Sequence, residues 1–330
     1  MKKSKCIIPL VALLTTVTSC GSKAYSFDKY RLELDMTNDE YKIMQLTDIH
    51  ISIQTDMAKT KELLRANILE ASPDLIVLTG DIFMEANTTY VDETFNFFDS
   101  FNIPFAYTYG NHDLQGVYDV NYIAKRVMDA KNSVYIDYLD DNLFGQANYY
   151  INLKKNGEVK YRLYVIDSNS YHRASYYFDY DVIHEEQLEH VKDIARNEGI
   201  VPSLAFFHIP LEEYNDAYKL YEESGFDPSI GRGENREKGN HAYCGYKETE
   251  AFEVLKSVGV KGIFVGHDHI NYTDILYQDV VLSYGVKSTP EIYHDDDLIG
   301  YKLITLNSSD NSSFGLDNIS TVAKACEEGK

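Results

Sequence analysis

Positive charge is scarce in this chain: 31 Lys and Arg stand against 52 Asp and Glu, a formal net charge of -21. A surface of that sign repels phosphate backbones, which argues against general nucleic-acid binding and admits small anionic ligands only where something else supplies local positive charge. Internal repeats and low-complexity tracts are missing, so nothing divides the 330 residues into small units, and the length suits one large domain with a full core. Tryptophan is absent while tyrosine reaches 28, an excess that reads as surface and core filler. Cysteine is limited to four. Cys6 falls in the leader and Cys20 stands directly after it, which leaves Cys244 and Cys326 as an even pair in an oxidising compartment. Without a Cα separation, a disulfide and two free thiols stay equally open.

An apolar run long enough to span a bilayer is also lacking. The longest candidate, Ile7 to Leu14, is too short, and Lys2, Lys3 and Lys5 before it make an export signal. It ends at Val17-Thr18-Ser19-Cys20, which resembles a bacterial lipobox, where cleavage precedes a Cys that carries the lipid. The expectation is a signal peptide over 1–19, lipidation at Cys20 and an extracytoplasmic, membrane-tethered domain, with ordinary secretion after cleavage near 19–22 as the alternative. Loss of residues 1–20, with three Lys and no acid, takes the net charge from -21 to -24.

Residues 20–40 read as a tether and lead-in strand. The segment 41–47 alternates toward a buried strand that ends at Asp48, and 60–68 has helical spacing. Ser72-Pro73 breaks that helix, and the apolar run 74–79 has the pattern of a strand covered on both faces, ending at Gly80-Asp81. The grammar repeats with a helix over 91–100 and a strand over 104–109 that ends at Gly110-Asn111-His112-Asp113. Further strands are predicted over 148–153, 161–167, 204–207, 262–265, 279–284 and 300–306, with helices near 124, over 184–196 and over 247–258. Such alternation predicts an α/β core, and the late hairpin strands suggest a sheet-on-sheet sandwich flanked by helices. The domain is expected over 41–310 and a C-terminal tail over 311–330. A Gly-, Glu- and Arg-rich stretch over 224–240 lacks periodicity and reads as a loop.

The strand ends carry the chemistry: Asp48-Ile49-His50, Gly80-Asp81, Gly110-Asn111-His112-Asp113, His208 and Gly266-His267-Asp268-His269. Singly, Asp48 is a helix cap, Asp81 and Asn111 are turn residues, and His208 is a half-buried histidine. Together they are polar groups of metal-ligand type at strand C-terminal ends, where loops of an α/β sheet converge. His267 and His269, and likewise Asp48 and His50, stand two apart, so in extended chain each pair points one way.

In this order the stations resemble the calcineurin-like metallophosphoesterase pattern D-x-H, G-D, G-N-H-[DE], H, G-H-x-H, over roughly residues 41–306. Phe206 to Leu211 and Gly266 to Tyr284 are most similar to a branch related to fungal and plant phosphatases. The resemblance implies an αββα sandwich of two mixed sheets and two divalent metals of the Mn, Fe, Zn or Ni kind. One would be held by Asp48, His50, Asp81 and His269, the other by Asp81, Asn111, His208 and His267, with Asp81 bridging. It implies hydrolysis of a small phosphorylated substrate, a phosphomonoester favoured, by a metal-bridging hydroxide. His112 would serve as general acid rather than merely closing its turn, and Asp113 would orient it or raise its pKa. Two alternatives stay open: a phosphodiesterase acting on nucleotides, lipid headgroups or envelope polymers, and a surface binding lipoprotein that keeps metals as staples. Purple acid phosphatases carry Tyr where Met84 stands and Gly where His50 stands, so iron-tyrosinate charge transfer is not expected. The Trp that many relatives carry within 187–192 is also missing, which bears on substrate placement rather than on the metals.

Weaker candidates for the rim are Ser168-Asn169-Ser170-Tyr171-His172, Arg232, Arg236, His241 and Tyr243, for which plain solvent exposure is the competing account. Tyr107 and Tyr109 read as packing residues.

Overall fold

A computed structural model describes residues 31–116, 118, 121–137, 143–174, 177–311 and 313–320. The expected signal peptide, Cys20 and Cys326 lie outside the described residues, and so does any pairing of Cys326 with Cys244.

The chain opens with β1 (Arg31–Asp35), β2 (Glu40–Leu46), α1 (Met57–Ala71), β3 (Leu75–Thr79), α2 (Thr88–Asp99), β4 (Phe105–Thr108) and α3 (Tyr122–Met128). There follow β5 (Asn148–Lys155), β6 (Glu158–Ile166), the hairpin β7 (Tyr171–Ala174) and β8 (Tyr177–Tyr180), α4 (Glu185–Glu198), β9 (Ser203–Phe206) and α5 (Glu213–Glu223). The last part holds β10 (Gly231–Arg232), α6 (Ala251–Ser257), β11 (Val260–Val265), β12 (Asp274–Tyr277), β13 (Val280–Tyr284), β14 (Gly300–Asn307) and β15 (Phe314–Ser320).

These form two mixed sheets flanked by helices: an eight-stranded sheet in the order β1-β5-β6-β9-β11-β13-β12-β10 and a five-stranded sheet in the order β15-β14-β2-β3-β4. Every residue of β3 is buried, as its unbroken apolar run requires of a strand paired in parallel with β2 and β4. Local chemistry sets the helix ends. The Asp56 side chain accepts from Lys59 N–H to start α1, Ser72 closes it in left-handed conformation before Pro73, and Asn87 caps α2 through Tyr90 N–H.

The sheets face each other through apolar side chains and a few buried polar bridges. Gln45 on β2 donates to the Val265 carbonyl at 3.0 Å. Thr108 on β4 donates to the Ile166 carbonyl at 2.7 Å. Tyr149 on β5 donates its hydroxyl to the Tyr107 carbonyl and accepts from Tyr107 N–H, each at 3.0 Å. Tyr107 and Tyr109 are core residues, as expected. The strongest bridge is ionic: Lys302 of β14, fully buried, pairs with Asp274 of β12, which also accepts from Arg232 Nε at 2.8 Å and Ser283 Oγ at 2.6 Å.

The strand expected in the lead-in is β1, paired in parallel with β5. The tail expected over 311–330 is in part β15, antiparallel to β14 from Gly300↔Ser320 to Leu306↔Phe314. Its burial alternates only weakly, so in isolation it lacks a strand signature and takes its conformation from β14. The hairpin β7–β8, α5, β10 and β12 were not anticipated either. No helix among the described residues is long and apolar enough to cross a membrane.

Burial raises the Asp274 pKa, yet Lys302, Ser283 and Arg232 outweigh it and hold the carboxyl below its usual range. Its contribution to stability is therefore complete above the unfolded carboxylate pKa of about 3.9 and is lost as pH falls below that toward the lower folded value. Asp274→Ala strands a buried ammonium and is expected to lower stability at pH 7 by about 3–5 kcal/mol, measured from the urea midpoint. The apolar pair Asp274→Leu with Lys302→Met should restore most of it.

Candidate metal centre

The ends of β2, β3, β4, β9 and β11 meet at one edge of the sandwich and bring together the residues that the sequence singled out. Two groups of ligand-type atoms form there, Asp48 with His50 and His269, and Asp81 with His208 and His267, each with its atoms within 4.8 Å of one another. All six residues are buried. Asp48 Oδ1 lies 3.4 Å from His269 Nε2 and 3.6 Å from His50 Nε2, and the two imidazole nitrogens are 3.0 Å apart. Asp81 Oδ2 lies 3.1 Å from His208 Nε2 and 3.8 Å from His50 Nε2, so this carboxylate stands between the two groups. Asn111 lies in the turn after β4: its amide N–H donates to the Tyr171 hydroxyl at 3.0 Å, which leaves its Oδ1 buried without a partner.

Backbone carbonyls orient the rings. His208 Nδ1 meets the Thr79 carbonyl at 2.8 Å and His269 Nδ1 meets that of Tyr293 at 2.9 Å, so both present Nε2 to the carboxylates. Burial opposes ionisation of Asp48, but His269, His50 and His208 hold its pKa well below the carboxylate range, and His208 and His50 do the same for Asp81. Burial pushes His50 down to about 4 and His267 to about 3, so both are neutral lone-pair donors at pH 7. His208 goes up to about 10, because Asp81 and Asp48 outweigh its burial. Asp48 Oδ1 and Asn111 Oδ1 have no hydrogen-bond partner, an expense of about 1–3 kcal/mol for each buried group that a coordinated cation would remove. A mixed set of carboxylate, amide and imidazole donors fits divalent transition metals.

A family model of the calcineurin-like phosphoesterases matches residues 41–271, a span that includes every one of these side chains. The chain belongs to the calcineurin-like phosphoesterase family. Among similar proteins, "Probable inactive purple acid phosphatase 29" of Arabidopsis thaliana is 27% identical over 71% of this chain and 68% of its own length. Phosphatase DCR2 of Saccharomyces cerevisiae is 27% identical over 76% of this chain, which spans about half (47%) of that protein. The fold is similar to that of a dimetal phosphatase from Danio rerio, with a TM-score of 0.50 and 12% identity over 81% of this chain and 93% of the other.

In this calcineurin-like phosphoesterase the ligand-bearing turns are strained: Asp48, His50, Asp81 and His267 have φ of 52°, 54°, 51° and 76°. Residues other than glycine adopt such angles at a cost of about 1–3 kcal/mol each, and only where the surroundings hold them. One holder is the segment after β13. Ser288 Oγ accepts from Thr47 N–H at 3.0 Å, Thr289 Oγ1 donates to the Ile49 carbonyl at 2.7 Å, and the buried Lys287 ammonium donates to the Asp48 carbonyl at 2.5 Å. The sequence reading missed this clamp, since a Lys-Ser-Thr run is ordinary until it lies under the first turn. Glycine is required where turns touch: a Cβ on Gly110 would lie 2.2 Å from Asp81 Oδ1, and one on Gly80 2.6 Å from Gly110 N.

Asp113 corrects an expectation. Its carboxylate does not orient the His112 ring. Oδ2 accepts from Gly110 N–H at 2.7 Å and Asp81 N–H at 2.9 Å, and Oδ1 from Phe83 N–H at 2.8 Å. It is fully buried and ties the second and third turns together, because three converging amides offer a carboxylate more than one imidazole does. The partner of the half-buried His112 ring is Gln115, whose Oε1 lies 2.8 Å from Nδ1, while His112 N–H donates to Asp81 Oδ1 at 2.7 Å. The His112 ring sits edge-on to His50, centroids 5.4 Å apart. Of the weaker candidates, Arg232 serves Asp274, Arg236 serves Glu234 and Asp295, and His172 stacks on Tyr246. Ser168 Oγ accepts from Ile209 N–H at 2.9 Å.

Asp113→Ala should accordingly behave as a structural lesion, losing about 3 kcal/mol or more in a urea titration as three buried amides lose their acceptor. An orienting role would instead leave stability intact and change rate alone.

Proposed function

We propose that the protein is a binuclear-metal phosphoesterase, with phosphomonoesters as the favoured substrates. The observation that carries this is the pair of buried ligand trios with Asp81 between them and the His112 ring beside them, outside either trio. Asp48, His50 and His269 would hold one ion and His208, His267 and Asn111 the other, with Asp81 shared. When bound, such a pair supplies a water acidified to near neutrality and positive charge against the phosphoryl oxygens.

The chain's own residues do the rest. His112 is placed at the cluster by the bond from its N–H to Asp81, and its Nδ1–H donates to Gln115. The imidazolium therefore delivers its proton from Nε2. Water gives up a proton to solvent as its oxygen bonds to phosphorus, the ester P–O bond breaks, the departing oxygen takes the Nε2 proton, and solvent returns a proton to the ring. Tyr171 fixes the Asn111 amide with its oxygen free, and the Lys287 to Thr289 clamp keeps Asp48 and His50 in place. A non-catalytic, metal-stapled binding protein is the second reading, and its support is that the Arabidopsis relative is named as probably inactive. We propose further that the domain acts outside the cytoplasm on a lipid at Cys20, a reading supported by the basic, apolar leader and its Ser19-Cys20 ending.

Purified protein from residue 21 onward, assayed with nitrophenyl phosphate and bis-nitrophenyl phosphate alongside metal analysis, should show about two metals per chain and faster monoester turnover. Asp81→Ala should lose both metal and activity. Two bound metals with no turnover of either ester would favour the binding protein. His112→Ala should keep its metal and lose roughly 10²–10⁴-fold on alkyl phosphates but much less on nitrophenyl phosphate, whose leaving group needs little acid assistance. Equal losses on both would remove His112 as the acid.

A further inference from the structure

The excess of tyrosine acquires a local meaning at the rim of the metal centre. Beside the first trio, Tyr293 accepts through its carbonyl from His269, and its ring stacks on the His269 imidazole with centroids 4.2 Å and planes 23° apart. Tyr293 is nonetheless 54% exposed, so part of the ring is open to solvent next to the ligand atoms. Its hydroxyl donates to Glu237 Oε1 at 2.9 Å; Glu237 is buried and donates its own N–H to Asn271 Oδ1 at 3.0 Å. The preceding Ile292 has a φ of 52°, a conformation that β-branched residues avoid. A strained backbone and a latch to a buried carboxylate hold this exposed ring in one orientation, which is more than packing demands.

Beside the second trio stands Tyr180, edge-on to His267 with centroids 4.3 Å apart. It stacks with Tyr171, whose hydroxyl accepts from Asn111, at 5.6 Å and 30°. Each trio is thus flanked by tyrosine. The two arginines singled out in the 224–240 stretch, Arg232 and Arg236, are engaged by Asp274 and by Glu234 and Asp295. Among the described residues, rings stand against both trios from the rim.

We propose that this site selects phosphoesters whose alcohol half is a flat aromatic ring, with Tyr293 and Tyr180 as the walls that receive it. The proposal rests on the phosphoesterase reading, and it names what that site prefers. A stacked or edge-on ring pair strengthens binding by about three- to ten-fold beyond the apolar area it covers.

The test is calorimetric binding of phenylphosphonate and methylphosphonate to the metal-loaded protein, which needs no turnover. Phenylphosphonate should bind the unmodified protein about ten-fold more tightly. Tyr293→Ala, compared at matched metal content, should bring that preference, read as the ratio of the two affinities, down to about two-fold or less, while Tyr293→Phe, which keeps the ring and loses the Glu237 bond, should retain it. Tyr180→Ala should act in the same direction. The proposal is overturned if neither phosphonate binds, if the unmodified protein shows no preference, if Tyr293→Ala leaves the preference intact, or if both ligands weaken equally, which would mark Tyr293 as a support for His269 only. A ring preference in a protein that hydrolyses no ester would sink the catalytic reading and leave the aromatic walls standing.

Discussion

Asp48 and Asp81 are each 1% exposed and close enough to share histidine neighbours, with His208 Nε2 3.1 Å from Asp81 and 4.0 Å from Asp48. Two carboxylates withdrawn from water together are costly unless cations or donors surround them. Much of the architecture at this edge answers that requirement. Thr47 Oγ1 and His267 N–H donate to Asp48 Oδ2, His112 N–H donates to Asp81 Oδ1, and imidazoles crowd the remaining oxygens. What the protein leaves without hydrogen bonds, Asp48 Oδ1 among them, is where a pair of divalent cations would complete the balance.

The same constraint accounts for the strain. Short turns must fold back over the strand ends so that five separate segments reach one point, and four ligand-type residues take left-handed φ to do so. Rigid strands beneath them and two cross-braces, Asp113 between the second and third turns and Lys287 to Thr289 under the first, keep those turns from relaxing. Deformation at one turn is felt at its neighbours, since Gly80 and Gly110 leave no room even for a methyl group. Preorganisation of this kind places the donors before a ligand arrives, so little reorganisation is needed when charge develops.

A strongly acidic surface is compatible on these terms with the phosphoester substrates proposed above. Net charge acts over the surface and is screened within about 8–10 Å at ordinary ionic strength, whereas cations held by these ligand-type residues would act at contact. The tyrosines at the rim add apolar surface without adding charge. Tyr171, Tyr180 and Tyr293 each touch a ligand-type residue, so the groups that would meet the substrate also position the metal centre.

The sequence by itself determined the strands β2 to β6, β9, β11, β13 and β14, the family pattern and the ligand types, because each is a local property. Apolar runs such as 75–79 can be satisfied only as covered strands, and D-x-H, G-D, G-N-H-D and G-H-x-H fall where such runs stop. It also identified His112, whose neighbours on the chain are site residues. What the tertiary structure decided depends on contacts between distant segments. Asp113 stands next to His112 in sequence but serves the amides of Gly110, Asp81 and Phe83. Lys287 and Tyr293 belong to an unremarkable loop until it packs against Asp48 and His269, more than 200 and 20 residues away respectively. The strand β15 has too weak an alternation to declare itself without β14 alongside. Hydrogen-bond partners and ring contacts are set by three-dimensional proximity, and periodicity along a chain carries no information about which remote backbone group a side chain will meet.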